Sequence, residues 1–548
     1  MTSRDLSRRS LLTASAAVAA AALAGCGLST PGEGRGASSQ GSAGGDDAAD
    51  HPALVVAGTE ELGAFNPISG HGSQGATPIF EGLLRLRSED PERLPTLEPA
   101  LADGEPTASQ DLRTWRVAVR EGVTFHDGSE LAPQDVVTTY TAMLDPKSAS
   151  EVVWAYDMIE SVEADGQEVV FHLAYPYADF ASRLLLGIAP ADLFTGGPAT
   201  ESSLNREPVG TGPFRLASLS PSEAVFERFE DYWGEAAVVP RLTITLVEDE
   251  GTRAQQARAG EIDGTVLPPK LAQATADKTD DLELAVARSA DWRGVSFPAN
   301  AAIATEAVTR RAMNLAVDRQ AMVDAVLGGH GRPAYTPLSP VYGERYTDVR
   351  FDHDPVQAEQ LLEEAGWTTG DDGIRQKDGE RAEFTVAYDP KDSVRRDLTT
   401  AVADDLRKVG IEVTPRAMTW DEIEPEYQDL GILLAGGDQP YSIDSQLYGQ
   451  LHTPLEGAAF YYNPGGHGSA ERDDLLESAR RETDEQARTD LYRQVQEGLA
   501  QDPNAIYLTF LDHTYVTNPH GYDTGSLVVE PHAHGVGWGP WWNVGAWR

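Results

Sequence analysis

Hydrophobic and polar positions change rhythm several times along the chain. A largely apolar run at residues 11–23, broken only by Thr13 and Ser15, follows a head carrying Arg4, Arg8 and Arg9 and precedes the small residues before Cys26. This is the layout of an export signal, and the run is shorter than the roughly 20 apolar residues a membrane-spanning helix needs. Residues 27–50 are Gly, Ser, Ala and Asp with almost nothing apolar, a composition that cannot offset its ordering entropy and predicts a flexible tether. Beyond it, "TWRVAVR" (114–120) alternates, with Trp115, Val117 and Val119 on one face of a half-buried strand. A turn at "FHDGS" follows, and Pro133 opens a helix with Val136, Val137, Tyr140, Met143 and Leu144 on one side. A second helix is predicted over 306–327, stopped by Gly328-Gly329. A third begins with Asp354 as N-cap, Pro355 at N1 and Gln357 placed to complete a capping box; Ala358, Leu361, Leu362 and Ala365 form its stripe and Gly366 ends it. Strands are predicted at "RLTITLVED", "EFTVAYD" and "AIYLTFL". Helices mixed with strands, without a solenoid period, predict an α/β protein.

Composition narrows the function. The chain of 548 residues carries 43 Lys and Arg against 87 Asp and Glu, a net charge of −44. Such a field repels phosphates, so nucleic acid is excluded as a partner, and a solvated acidic surface is its plainest reading. Roughly 500 residues beyond the tether exceed the ~250–300 that one core serves, which predicts two or three domains. Cys26 is the only cysteine, so no intramolecular disulfide is available. The chain holds no Gly-x-Ser-x-Gly elbow, no phosphate-binding Gly-rich loop and no HExxH pair. It is therefore not expected to be an enzyme, and a lipid-anchored hydrolase is the alternative from a different class.

Several segments resemble known sequences. Leu23-Ala24-Gly25-Cys26 resembles a bacterial lipobox, which implies cleavage after residue 25 and lipidation of Cys26; Ser7-Arg8-Arg9-Ser10-Leu11-Leu12 resembles a twin-arginine signal. "TWRVAVREGVTFHDGSELAPQDVVTTYTAML" (114–144), "EPVGTGPFRL" (207–216), "TRRAMNLAVDRQAMVDAVLGGHGRPAYTPLSP" (309–340) and "DPVQAEQLLEEAGW" (354–367) resemble, in order, motifs of extracellular solute-binding protein family 5. These are the peptide- and nickel-binding proteins of ABC transporters. The resemblance implies a two-lobed periplasmic-binding-protein type II fold with an extra inserted domain, of the cluster C type. It places lobe I at 53–82, 206–293 and 511–548, the inserted domain at 83–205 and lobe II at 294–510, after a signal peptide (1–25) and a lipid-anchored linker (26–52). The implied protein is a monomer tethered to the outer face of the cell membrane. It captures an oligopeptide by hinge closure and hands it to a permease and its ATPase, with no cofactor.

The motifs also have physical readings. In "VGTGPF", Gly210 and Gly212 are expected to supply unusual backbone angles and Pro213 to stiffen the turn. His126-Asp127-Gly128 reads as an Asp-Gly turn rather than an acid–base pair. The resemblance implies that an aspartate after a strand and a Gly-rich step pairs with a ligand's amino terminus, and "GILLAGGDQPYSID" puts Asp438 there, flanked by Gly437 and Gln439. A carboxylate in a closed cleft suits an ammonium group, because a charge-assisted hydrogen bond is stronger out of water. The chain departs from the family in reading Asp438-Gln439-Pro440-Tyr441. Tyr388, Lys391 and Trp420 are further cleft candidates by resemblance, Tyr462 with its neighbours Phe460 and Tyr461 offers an aromatic wall with Asn463 as a hydrogen-bonding group, and Ser73 and Gln74 lie in the family's first loop. His532-Ala533-His534, His452 and His467 lack the spacing of a metal cluster, so no protein-ligated metal is expected. A nickel chelate bound through its organic ligand is the alternative solute.

Overall fold

The computed structural model describes residues 52–455, 459–533 and 535–548. The export segment, Cys26, the tether and His534 lie outside these residues. Strand Leu54–Gly58 is apolar or small throughout, as suits a strand covered on both faces. It pairs in parallel with Arg241–Leu246 on one side and Gly264–Val266 on the other. They form the middle of a seven-stranded sheet ordered Glu283–Ala287, His513–Thr517, Gly264–Val266, Leu54–Gly58, Arg241–Leu246, Glu223–Arg228, Phe214–Leu219.

A second sheet of six strands is ordered Gly331–Pro333, Ala505–Leu511, Trp292–Ser296, Leu430–Gly436, Glu383–Tyr388, Glu412–Ala417. Glu383–Tyr388 runs parallel to both of its neighbours. The antiparallel pair Glu283–Ala287 and His513–Thr517 of the first sheet continues into Trp292–Ser296 and Ala505–Leu511 of the second. Residues 288–291 and Asp512 alone separate these strands, so the two sheets are two lobes hinged on a short double crossing.

Thr107–Ala108, Thr114–Ala118, Glu168–Leu173 and Ile159–Asp165 make a four-stranded antiparallel sheet. Helix Pro133–Leu144 covers it, burying Val136, Tyr140 and Met143. This sheet has no core of its own: Tyr140 and Phe171 belong to one apolar cluster with Phe80, Leu242 and Trp547 of the first lobe. Trp538, Trp541 and Trp547 of the Trp-rich tail are buried in that cluster, with Trp542 partly buried against it.

Three local expectations are corrected. The helix predicted over 306–327 is two helices, Ala307–Ala316 and Arg319–Ala325. Val317 is extended between them, and Asp318 caps the second, accepting from Ala321 N at 3.0 Å. The break lets the buried Arg319 guanidinium reach the carbonyl oxygens of Asn314, Ala334 and Tyr507, a demand that periodicity does not register. Gly210 and Gly212 do not adopt positive φ. They are glycines because a Cβ would sit 2.2 Å from Ile79 O and 2.5 Å from Pro78 O respectively. Asp354 does cap its helix through Gln357 N at 2.9 Å, but no return bond from the Gln357 side chain is formed among the described residues. The "FHDGS" turn and "VGTGPF" grip each other, with His126 N donating to Gly210 O at 2.9 Å and the His126 ring 2.9 Å from Gly212 O.

Candidate functional site

Strand Leu430–Gly436 runs through the middle of the second sheet and is buried almost throughout. At its carboxyl end Gly436 lies against the Trp292 indole, where a Cβ would come within 2.5 Å of the ring. Gly437 follows at φ +115°, and a Cβ there would sit 2.5 Å from Ala290 O. Two glycines thus bring the chain across the hinge and deliver Asp438. Asp438 is half-buried, and its carboxylate has no hydrogen bond or ion pair among the described residues.

Gln439 is in a different position. It is 7 % exposed, and its Oε1 accepts from Arg183 Nη1 at 2.6 Å. Arg183 Nη2 also donates to Ser445 Oγ at 2.9 Å, and Asp179 accepts from Ile443 N at 3.1 Å. Gln439 therefore belongs to a clasp between the second lobe and the segment following the four-stranded sheet, with its carbonyl already used.

Beside Asp438 runs a row of aromatic rings. Trp420, Phe460, Tyr461, Tyr462 and Trp154 follow one another at centroid separations of 6.3, 5.5, 4.9 and 5.9 Å. Burial, and then the Asp438 charge, raise the Tyr461 and Tyr462 phenols above their ordinary range, which keeps both neutral as hydrogen-bonding groups. Tyr461, Tyr462 and Trp154 line a cavity of about 630 Å³ between the second lobe and residues 154–158. Among the described residues, three of the five exposed large hydrophobic side chains, Trp154, Leu455 and Tyr461, lie on it; apolar surface left open in a concavity marks a binding site. The charged pair inside is closed on itself: Arg480 donates from Nε and Nη2 to Asp444, and its guanidinium lies 3.4 Å from the Tyr448 centroid.

The remaining candidates are spread over other places. Trp420 opens the one-turn helix Trp420–Ile423 rather than leading directly into a strand, and the Arg395 guanidinium lies 5.5 Å from its ring. Tyr388 ends its strand half-buried, its carbonyl accepting from Met418 N at 3.0 Å. Lys391 is exposed and lines a separate interlobe cavity of about 260 Å³. Ser73 and Gln74 line a third, of about 280 Å³, walled by Phe65, Phe226 and Trp538 of the first lobe. The structure thus joins Asp438, Trp420 and Tyr462 along one row and leaves Tyr388, Lys391, Ser73 and Gln74 outside it. Sequence reading missed Trp154, whose "EVVWAYD" context has no distinctive pattern. It also missed Asp291 and Arg293, which flank Trp292 at the start of strand Trp292–Ser296 and carry no signal in sequence beyond their charge.

No group of three or more His, Cys, Asp and Glu is placed to hold a metal among the described residues, and no helix there is long and apolar enough to cross a membrane. The family model "Bacterial extracellular solute-binding proteins, family 5 Middle" matches residues 96–454. Protein XP55 of Streptomyces lividans is 40% identical over 479 residues, covering 86% of each chain. The oligopeptide-binding protein AppA of Bacillus subtilis is 28% identical, covering 83% of this chain and 86% of its own. Its structure with a nonapeptide superposes with a TM-score of 0.73 over 90% of this chain and 98% of that one, at 24% identity. NikZ of Campylobacter jejuni, solved in complex with Ni(L-His), is 25% identical with a TM-score of 0.78, covering 90% and 99%.

Proposed function

Because the chain belongs to family 5 of the bacterial extracellular solute-binding proteins, a family of ABC-transporter binding proteins and not enzymes, we propose that it captures oligopeptides at the Asp438 cleft. The observation that carries this reading is the half-buried Asp438 carboxylate, without a partner among the described residues and set beside the aromatic row. A protonated peptide amine supplies the missing partner, in a site where a charge-assisted bond is stronger than at a wet surface. The rings offer apolar walls that suit many side chains, and the cleft admits solute when the hinge opens. Ligand contacts from both sides then favour the closed form by their preference for it. The closed form is what a permease with its ATPase would receive.

On this reading residues 83–205 are the inserted domain that enlarges the first lobe, and the protein works as a monomer. Lipidation at Cys26 anchors it to the outer face of the membrane after export by the twin-arginine or the general secretory route. Di- to pentapeptides added to refolded, ligand-free protein are expected to raise the melting temperature, as any ligand specific for the native state does. Acetylating the peptide amine, or the change Asp438→Asn, is expected to weaken binding ~10- to 100-fold, the worth of ~1.5–3 kcal/mol for a hydrogen bond to a charged group. If peptides give no shift while a nickel–histidine chelate does, the solute is the chelate, a reading supported by the NikZ likeness.

A further inference from the structure

The segment that follows the four-stranded sheet is sunk in the first lobe, where Tyr177, Phe180, Leu184 and Leu185 all belong to the large apolar cluster. Opposite it, residues 439–442 of the second lobe lead into helix Ile443–Leu451, whose Ile443, Leu447 and Leu451 pack in a separate cluster with Tyr342 and Tyr492. What joins the two segments is polar. Arg183 Nη1 donates to Gln439 Oε1 at 2.6 Å and Nη2 to Ser445 Oγ at 2.9 Å. The Tyr177 hydroxyl lies 2.8 Å from Ser442 Oγ and 3.2 Å from Ser445 Oγ. Asp179 Oδ2 accepts from Ser442 Oγ at 3.3 Å and from Ile443 N at 3.1 Å.

These groups are deeply covered: Tyr177, Arg183 and Ser442 are each 1 % exposed. A buried charge is costly unless it is hydrogen-bonded, and Arg183 forms no ion pair among the described residues; it donates instead to neutral acceptors supplied by the other lobe. Its donors are thus met by protein in the closed arrangement and by water when the lobes part. Hydrogen bonds exchanged for water have a small net worth, so an interface built from them can grip and release. Every one of these contacts is between protein groups and needs no solute atom. They also bear on the site. Gly437 passes so close to Ala290 O at the hinge that no Cβ fits, and Gln439 is held by Arg183, so Asp438 is fixed from both sides. Tyr177 and Ser445 line the 630 Å³ cavity as well, which has its full wall only while the contact is made.

We propose that Tyr177, Asp179 and Arg183 form a clasp that holds the lobes together before any solute is bound, and that Arg183, acting through Gln439, is a positioning residue for Asp438. Solute then enters through an opening that must first break the clasp, and the bias toward closure is built into the protein rather than supplied by the ligand alone. The positioning role rests on Asp438 being the amine site; the clasp does not.

Small-angle X-ray scattering from refolded, ligand-free protein is expected to give the compact curve of clasped lobes for the wild type. A larger radius of gyration is expected for Arg183→Gln and for Ser445→Ala, which break the contact from opposite lobes and are each checked for a native near-ultraviolet circular dichroism spectrum. Arg183→Lys, which keeps the charge, is expected to recover part of the compaction. Saturating peptide should return both open variants to the wild-type radius, with binding to Arg183→Gln about tenfold weaker because the competent fraction has fallen. Asp438→Asn is expected to lose affinity and keep the wild-type radius. A ligand-free wild type as extended as both variants overturns the clasp. Variants that open while binding peptide as tightly as the wild type overturn the positioning role. If no peptide binds any of the proteins, the Asp438 reading and the positioning role fall together, and the scattering difference alone decides the clasp.

Discussion

Gly437 carries two constraints at once, a φ of +115° and a Cβ direction blocked by Ala290 O. Gly437→Ala is therefore expected to destabilise by about 1–3 kcal/mol from backbone strain alone, read as a lowered urea midpoint with an unchanged slope. It would also displace Asp438, so weakened peptide binding should accompany the loss of stability. Asp438→Asn separates the two effects, because it leaves the backbone in place and is expected to lower peptide affinity without moving the urea midpoint. The sequence exposed both residues, since a glycine step followed by an acid is visible in "AGGDQP". It did not expose the engagement of Gln439 by Arg183, a partner 256 residues away.

At the scale of elements, the break between Ala307–Ala316 and Arg319–Ala325 shows how a buried charge overrides periodicity. Arg319 lies fully inside, its guanidinium against backbone carbonyls and the Asn314 side chain, and burial lowers its pKa to about 10. An unbroken helix would leave those donors unsatisfied, which costs more than a lost turn. Asp318→Ala removes the cap of the second helix and is expected to cost about 0.5–2 kcal/mol, measured as a fall in unfolding free energy. Strands were more legible than helices here. "EFTVAYD" and "AIYLTFL" correspond to strands Glu383–Tyr388 and Ala505–Leu511, because runs of β-branched and aromatic residues bounded by polar ones leave few alternatives.

Across the whole molecule, the hinge is held by a buried charged network. The His513 ring lies 2.6 Å from Glu530 Oε2 and 3.1 Å from Asp291 Oδ2, Tyr515 donates to Glu530 at 2.7 Å, and His532 stands 3.2 Å from Asp291. Burial opposes the imidazolium, yet the bonds to Asp291 and Glu530 outweigh it and raise the His513 pKa to about 9. Burial also opposes the Asp291 carboxylate, and Arg293 with the two histidines still holds it well below its usual range. A group whose pKa is raised on folding stabilises fully below its unfolded value, ~6.5 for histidine, and loses that contribution as pH rises through the folded value. The melting temperature is therefore expected to fall between pH 6.5 and about 9. His513→Gln should lower it at pH 6.5 and flatten the slope. A slope unchanged in that variant would place the titration elsewhere.

The sequence by itself determined the α/β class, the strands just named and the motifs that carry the family, because these rest on local periodicity and on glycines and prolines whose backbone demands are written in order. It also singled out Asp438 as a candidate. Tertiary structure alone decided what surrounds that carboxylate: the row from Trp420 to Trp154 and the clasp of Arg183 on Gln439. Each joins residues more than 30 positions apart through burial and charge. No spacing along the chain records which distant partner satisfies a buried group.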